Sequence, residues 1–219
     1  MGKEIDLLKN YPKPKRDLGK RLNEKTEQDR LIARKFDKEF FDGTRSQGYG
    51  GYYYNPRFWS PVVPTFKEYW QLHSKSTFLD VGCGKGFMIY DIQRLISGID
   101  VKGIDISEYA IQNCIPEMRE NVAVADAKKL PFEDNSFDVV ISINTVHNLN
   151  LEECAISLQE IERVSKGKTF ITVDAYRNDI EKKRMMAWNL TAKTIMSVEE
   201  WIKFFKKVGY NGDYYWFIP

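Results

Sequence analysis

The sequence predicts a doubly wound α/β fold, in which a mostly parallel sheet of seven strands, or of six, carries helices on both faces. The first observation is that apolar strand-like segments alternate with amphipathic helical segments from residue 75 onward, an order typical of parallel sheets with crossover helices. The second is the apolar run within residues 136–144, which suits a strand buried on both faces. A chain of 219 residues is long enough for one such domain.

The individual elements follow from the spacing of apolar residues. Met88, Ile89 and Ile92 begin a stripe at helical spacing, and Ser197 with Glu200 forms a capping box at the start of a later helix. The predicted strands are residues 76–82, 99–105, 121–127, 136–144, 168–175 and 212–219. The predicted helices between them are residues 85–97, 107–114, 152–164 and 197–208.

The chain divides into three predicted parts: a flexible basic arm over residues 1–22, helices with a Tyr-rich segment over 23–74, and the α/β domain over 75–219. The arm is predicted because prolines and charges outnumber apolar residues there. One helix is expected over residues 23–42 and another from Pro64 to His73. Residues 48–64, rich in Gly, Tyr and Pro, cannot form a regular helix.

Charge and composition exclude several classes of protein. The 33 basic and 31 acidic residues argue against a dedicated DNA-binding protein. No apolar run is long enough to span a membrane, and the first ten residues do not resemble a signal peptide, so a cytoplasmic location is expected. Cys83, Cys114 and Cys154 are too widely spaced for a zinc site, and no metal is expected.

The strongest local motif is LDVGCGKG, residues 79–86, in which a strand ends in an acidic residue and three glycines follow at alternate positions. Glycines let the turn close tightly and let the backbone approach a ligand, and the N–H groups of the next helix favour an anionic group. Asp105 ends the second strand, where a carboxylate can accept ribose hydroxyls. Asp126 and Ala127 end the third strand, where an acid can hold the amine of adenine.

These motifs resemble those of the class I S-adenosylmethionine-dependent methyltransferases, most closely the small-molecule, type-11-like group. LDVGCGKG matches the first motif, GIDIS the acidic second-strand motif, and VADAKKLPFEDNSFDVVIS the third- and fourth-strand motifs, in order and with the family's spacing. The resemblance implies a Rossmann-like sheet and S-adenosylmethionine as cofactor, with S-adenosylhomocysteine as its product. It covers residues 75–175 closely and the last 25 residues loosely.

The resemblance also implies roles for individual residues. Asp80 and the glycine loop would face the methionine part of the cofactor, Ile106 would pack on adenine, and Asn144 would lie near the sulfonium. The implied cofactor-binding residues are Asp80, Gly82, Cys83, Gly84, Gly86, Asp105, Ile106, Asp126, Ala127 and Asn144.

The loop after the fourth strand would face the transferred methyl group. His147 in this loop is the candidate general base, beside Asn144 as the second catalytic candidate; alternatively, His147 only orients the loop. Family members that methylate base amines of nucleic acids usually carry an Asn/Asp-Pro-Pro-aromatic tetrad here. This chain reads Asn144-Thr145-Val146-His147, which argues against a nucleic-acid substrate.

The substrate side is predicted from aromatic and basic residues that flank the cofactor half. Family lids that cover the cofactor lie ahead of the core, as the Tyr-rich segment does; the alternative is an aromatic cluster that only attaches the N-terminal part to the sheet. Arg177 would clamp a carboxylate or phosphate, or pair with a surface acid. The substrate-side candidates are Tyr49, Tyr52, Tyr53, Tyr54, Arg57, Trp59, Tyr176, Arg177 and Trp188.

The expected function is methyl transfer to oxygen or nitrogen of a small polar metabolite, such as a sugar-like or natural-product intermediate. Two alternatives stay open: transfer of another group of the cofactor, such as aminocarboxypropyl, and a non-catalytic cofactor-binding partner protein. The family's sheet usually ends in two antiparallel strands, whereas this chain offers residues 212–219 and, as a weaker candidate, residues 190–196. A missing strand would leave a sheet edge for a homodimer or the N-terminal arm to cover.

Overall fold

A computed structural model describes residues 2–12 and 25–219 and confirms the predicted fold class. Its sheet has the order β3-β2-β1-β4-β5, with β7 on the other edge of β5, and β6 pairs with the last two residues of β5. The seven strands are β1 (Thr77–Val81), β2 (Asp100–Asp105), β3 (Val122–Val124), β4 (Val139–Ile143), β5 (Thr169–Tyr176), β6 (Met196–Ser197) and β7 (Asp213–Phe217).

Short helices connect and cover these strands. They are α1 (Glu27–Ala33), α2 (Lys38–Asp42), α3 (Pro56–Trp59), α4 (Val63–Trp70), α5 (Phe87–Leu95), α6 (Glu108–Gln112), α7 (Leu151–Val164), α8 (Asp179–Trp188) and α9 (Val198–Val208). The predicted capping box at Ser197 is present at the start of α9, and Gly209 ends that helix in a left-handed conformation. Within the part of the chain that the structure describes, no helix has the length and apolar character to cross a membrane.

The sheet separates two apolar cores, because successive residues of a strand point to opposite faces. Phe78 of β1 packs on one face with Phe66 of α4 and Ile89 of α5, whereas the neighbouring Leu79 packs on the other face with Leu158 and Trp201. All six side chains are fully buried. This burial on both faces explains why the central strands are almost continuously apolar.

The single helix predicted over residues 23–42 is wrong, since the structure divides this stretch into α1 and α2. Phe36 between them has a φ of 52°, a left-handed value that a regular helix cannot contain. The Asp37 side chain then accepts from the Lys38 amide and starts α2. The apolar period of four residues continues across this break, so periodicity alone could not reveal it.

The end of the sheet also differs from the expected antiparallel pair. β7 lies parallel to β5, with partners from Phe170 with Asp213 to Asp174 with Phe217. The helix α9 supplies the crossover that a parallel connection requires. Of the weaker candidate segment, residues 190–196, only Met196 joins a strand.

The outer edge of β7 is covered by the N-terminus of the chain. The Ile5 amide donates to the Tyr214 carbonyl at 3.0 Å, and the Tyr214 amide donates to the Lys3 carbonyl at 3.1 Å. Leu7 is buried in the core of the face that carries α4 and α5. The expected flexible arm is therefore replaced over residues 2–12 by a docked segment, because pairing satisfies the edge of the sheet. Residues 1 and 13–22 of that prediction lie outside the described part.

Candidate active site

The loop between β1 and α5 requires glycine at its first motif position. Gly82 has a φ of 92°, and an added Cβ would lie 2.1 Å from Thr145 Oγ1. The Gly82 amide donates to the Ile104 carbonyl at 2.7 Å, and the Cys83 amide donates to the same oxygen at 2.9 Å. The loop is therefore held against the end of β2.

Asp105, the last residue of β2, is bound to this loop through its carboxylate. Oδ2 accepts from the Gly84 amide at 2.8 Å, and Oδ1 accepts from the Ser107 amide at 2.9 Å. Burial raises the pKa of Asp105, while these N–H groups act in the opposite direction by favouring the charged form. Each oxygen keeps a second lone pair, so the carboxylate can still accept hydrogen bonds from a ligand.

Asp80 lies beneath the same loop with an incomplete set of hydrogen bonds. Its Oδ1 is buried and has no hydrogen-bond partner among the described residues. Burial, reinforced by the nearby Asp105 carboxylate, raises the pKa of Asp80 well above its ordinary value. A buried acceptor without a partner is costly, which points to a missing donor or cation at this position.

A cavity of about 580 Å³ opens above the carboxyl ends of the strands. Its wall includes Gly82, Gly84 and Asp105, together with Ile106, which exposes 55% of its surface. Further predicted cofactor-binding and catalytic residues at this cavity are Asp126, Ala127, Asn144 and His147. The cavity thus brings together residues that four separate strands present, at the end of the sheet where open α/β folds bind ligands.

Two tyrosines of the N-terminal segment close one side of this cavity. Tyr49 and Tyr52 have ring centroids 4.4 Å apart, and Tyr52 stacks on Phe87 at 4.8 Å. A Cβ added at Gly84 would approach the Tyr52 ring to 3.3 Å. The Tyr52 ring therefore rests on the glycine loop, as a residue that covers a ligand would.

A buried ion pair holds this segment in place. Lys85 Nζ lies 2.6 Å from Asp42 Oδ2, which also accepts from the Tyr109 hydroxyl at 2.7 Å. Asp42 Oδ1 accepts from the Tyr52 amide at 2.9 Å. Burial alone would raise the pKa of Asp42, but the hydrogen bonds from Lys85 and Tyr109 hold it below its ordinary value. The same bond to Asp42 raises the pKa of Tyr109 to about 12.

Asn144 adopts a strained conformation at the end of β4. Its φ is 53°, which non-glycine residues seldom adopt and which often marks a functional site. The Thr172 hydroxyl donates to Asn144 Oδ1 at 2.8 Å, and the Asn144 amide bonds back to Thr172. The side-chain oxygen is thereby fixed, which leaves the amide NH₂ as its remaining donor.

His147 is nearly fully buried against the end of β5. The Asp174 amide donates to His147 Nδ1 at 2.8 Å, and the Asp174 carboxylate lies 3.7 Å from the same nitrogen. Burial lowers the pKa of His147 against the opposing effect of Asp174. With Nδ1 as acceptor, the proton of the neutral ring is assigned to Nε2. The ring therefore presents a donor in this arrangement, whereas the predicted general base needs an unprotonated nitrogen.

The structure places several predicted substrate-side residues away from the cavity. Tyr54 donates to Asp91, Trp59 packs on Tyr11, and Arg177 pairs with Glu4 at 3.3 Å, which is the surface-acid alternative. Of the nine candidates, Tyr49, Tyr52 and Trp188 line the cavity, whereas Tyr53, Tyr54, Arg57, Trp59, Tyr176 and Arg177 do not. Tyr53 and Arg57 are exposed to solvent, and Tyr176 bonds to Glu200.

Three predicted cofactor-binding residues support the loop without lining the cavity. Asp80 lies beneath it, the Cys83 side chain is buried against Gly103 of β2, and Gly86 starts α5 with a φ of 77°.

Other residues of the site were not among the predicted ones. Asp174, which the sequence places at the carboxyl end of the fifth predicted strand, lines the cavity beside His147. Arg34 and Lys193, which the sequence did not indicate, reach the cavity from outside the sheet. Lys85 also stands inside the glycine motif, but nothing local indicates that its partner is Asp42, 43 residues earlier.

Comparison with known proteins gives one family match over most of the domain. A family model described as a methyltransferase domain matches residues 72–214, about two thirds of the chain. These residues include the glycine loop, Asp105, Asp126 and the loop of His147.

Two curated proteins illustrate the range of relatives. The chain is 34% identical over 145 residues to tRNA (carboxymethyluridine(34)-5-O)-methyltransferase from Arabidopsis thaliana, which covers 65% of this chain and 33% of that protein. It is 31% identical over 154 residues to sterol 24-C-methyltransferase erg6 from Schizosaccharomyces pombe, covering 62% and 40%. The chain thus spans a third to two fifths of the length of these relatives.

One solved structure illustrates the shared architecture. A candidate S-adenosylmethionine-dependent methyltransferase from Methanococcus maripaludis superposes with a TM-score of 0.51 at 16% identity, covering 68% of this chain and 74% of that one. At this level of identity the likeness shows the fold alone.

Proposed function

The chain belongs to the class I S-adenosylmethionine-dependent methyltransferases, and from this premise we propose that it transfers a methyl group to oxygen or nitrogen of a small polar metabolite. The cavity of about 580 Å³ supports a small acceptor, because small-molecule sites span roughly 300–1,000 Å³. The acceptor's lone pair forms a bond to the methyl carbon, the carbon–sulfur bond breaks with its electron pair passing to sulfur, and the acceptor releases one proton.

The main observation behind the proposal is that two carboxylates beside the glycine loop can still accept hydrogen bonds from a ligand. Asp105 faces the cavity with spare lone pairs for the ribose hydroxyls, and Asp80 keeps a buried oxygen without a described partner. S-adenosylmethionine, when bound, would supply an electrophilic methyl group on a sulfonium, and its ammonium group is a donor of the kind that Asp80 lacks. The residues present therefore fit this cofactor.

The remaining predicted residues have compatible roles in the proposal. Ile106 would offer an apolar face to adenine, and Asp126 would accept from its amine. Tyr52 would exclude water from the methionine end, and Asn144 would orient polar atoms near the sulfonium. His147 would donate from Nε2 to an oxygen of the acceptor instead of taking its proton.

Isothermal calorimetry with S-adenosylhomocysteine tests the cofactor. We expect Asp105→Asn to weaken binding about tenfold or more, because it removes a charged acceptor and places an amide opposite the Gly84 or Ser107 N–H. Asp100→Asn, at the exposed opposite end of β2, is the matched control and should bind as the wild type does.

Absence of binding to the wild-type protein, or equal affinities of the two variants, contradicts the proposed cofactor site. If binding is confirmed, label transfer from methyl-labelled cofactor separates methyl transfer from the other two functions. Methyl label that stays on the sulfur, in methylthioadenosine, while the acceptor gains the aminocarboxypropyl group would indicate aminocarboxypropyl transfer. Tight cofactor binding without turnover over a broad metabolite panel would indicate a non-catalytic partner.

A further inference from the structure

The cavity is lined by more basic than acidic side chains. Among the described residues that line it, six are lysine or arginine and four are aspartate or glutamate. One of the lysines, Lys128, pairs with two of the acids, 2.6 Å from Glu153 and 3.6 Å from Asp126. Of the other two carboxylates, Asp105 belongs to the cofactor half and Asp174 is buried, which raises its pKa. The described lining thus has two more basic than acidic side chains.

Four of the other cations stand on segments far apart in sequence. Arg34 and Lys35 follow the end of α1, Arg45 follows α2, and Lys193 follows α8. The Lys193 amide donates to the His147 carbonyl at 3.0 Å, which places this residue directly beside the loop after β4. α1 is joined to the same side of the cavity because Arg30 Nε donates to the Asn189 carbonyl at 3.4 Å.

Arg34 lacks a partner that would account for its position. Its Nε is buried and has no hydrogen-bond partner among the described residues. Its only described ion pair is a 3.8 Å contact to Glu27, whose side chain is 68% exposed. Such a contact contributes little, whereas a buried donor without an acceptor costs free energy. The fork of the guanidinium suits a carboxylate or a phosphate.

We propose that the methyl acceptor carries an anionic group, a carboxylate or phosphate, which Arg34 and Lys193 hold in the wall of the cavity. This inference rests on the proposed function and specifies the class of its substrate. S-adenosylmethionine has two positive groups and one negative group, so it adds net positive charge to an already basic cavity. An anionic acceptor balances that charge and supplies the acceptor that Arg34 Nε lacks.

A small anion fits better than the backbone of a nucleic acid. The basic residues lie in the wall of a cavity of about 580 Å³, and the whole chain is nearly balanced in charge, with 33 basic and 31 acidic residues. Proteins that bind nucleic acids through phosphates present basic residues along an extended surface.

Calorimetric titration of the full chain saturated with S-adenosylhomocysteine tests the inference. Pyrophosphate serves as the phosphate probe, malonate as the carboxylate probe and glucose as the neutral control. We expect binding of at least one anion and none of glucose. Arg34→Gln and Lys193→Gln should each weaken anion binding about tenfold, the usual effect of losing one charge-assisted hydrogen bond, and should leave the affinity for S-adenosylhomocysteine within twofold.

Arg119→Gln and Lys207→Gln remove exposed cations outside the cavity and are the matched controls. Equal weakening in the controls, or no anion binding to a protein that does bind S-adenosylhomocysteine, overturns the inference and leaves the proposed function intact. Failure to bind S-adenosylhomocysteine overturns both. Binding of unfractionated tRNA that is tighter than pyrophosphate binding and is weakened by Arg34→Gln overturns the small-molecule inference.

Discussion

At the scale of single residues, the proton on His147 decides what that side chain can do. The Asp174 amide occupies Nδ1 at 2.8 Å, so the neutral ring carries its proton on Nε2. This single hydrogen bond from a backbone amide therefore bears on the two roles that the sequence left open for His147, a general base or a group that orients the loop. The structure favours the second, with Nε2 as a donor.

Substitutions of His147 should test the hydrogen bond from the Asp174 amide through their effect on the free energy of unfolding. Asn offers an oxygen near the position of Nδ1, so His147→Asn should keep an acceptor for the Asp174 amide, whereas His147→Ala leaves that buried amide unpaired. We expect His147→Ala to lower the free energy of unfolding by about 1–3 kcal/mol more than His147→Asn does at pH 8. Urea denaturation provides the measurement, and equal values for the two variants would contradict the bond.

The pH dependence has a defined sign. Burial lowers the pKa of His147 in the folded protein, so the unfolded chain takes up the proton first as pH falls. Stability should therefore decrease below about pH 6.5, the ordinary pKa of imidazole, and His147→Asn should show a smaller decrease.

At the scale of elements, the attachment of the Tyr-rich segment depends on a pair that bridges α2 and the glycine motif. The Asp42 carboxylate accepts hydrogen bonds from Lys85, from the Tyr109 hydroxyl and from the Tyr52 amide. These polar bonds therefore act together with the aromatic contacts of the segment, such as that of Tyr52 with Phe87. Its release would require breaking an ion pair in which the Lys85 side chain is only 6% exposed.

Asp42→Asn should loosen this segment and lower the free energy of unfolding by about 3 kcal/mol, the effect of leaving one buried charge unpaired. Hydrogen exchange of the Tyr52 amide should accelerate more than that of the central strands. Glu39→Gln, an exposed change on the same helix, is the control. Adding Lys85→Met to Asp42→Asn should recover part of the loss, since no charge then stays unpaired. If the double variant loses as much free energy of unfolding as the two single variants do together, the result would contradict a stabilising ion pair between Asp42 and Lys85.

Elements in the α/β domain could be predicted well because strand alternation and caps are local. Ser107 and Ser197 each cap the helix expected from the sequence. The break at Phe36 and the direction of β7 were not predictable in the same way. The direction of β7 depends on its pairing with β5, which is distant in the sequence. Apolar periodicity is unaffected by either the break or that direction.

At the scale of the whole molecule, the chain closes its own sheet edge. Residues 3–5 pair with β7, and Leu7 anchors them in the core at 1% exposure. This docking removes the edge that a homodimer was expected to cover as one alternative, so no second copy is needed to satisfy β7.

Leu7→Ala should lower the free energy of unfolding by about 3 kcal/mol, as removal of a buried leucine side chain generally does. Leu95→Ala, at a position that is 41% exposed, should have a much smaller effect. Light scattering on Leu7→Ala should reveal self-association if the edge of β7 becomes free. If Leu7→Ala is as stable as the wild type, the burial of Leu7 does not keep the N-terminal segment on the edge of β7.

The sequence by itself predicted the fold class and the proposed cofactor half of the site. Glycines, caps and acidic strand ends act through local backbone geometry, so Gly82, Asp105 and Asp126 could be found from their order along the chain. Tertiary structure alone decided the proton on His147, the Asp42–Lys85 pair and the gathering of Arg34 with Lys193. Each of these depends on burial and on partners distant in sequence, which become neighbours only after the chain has packed.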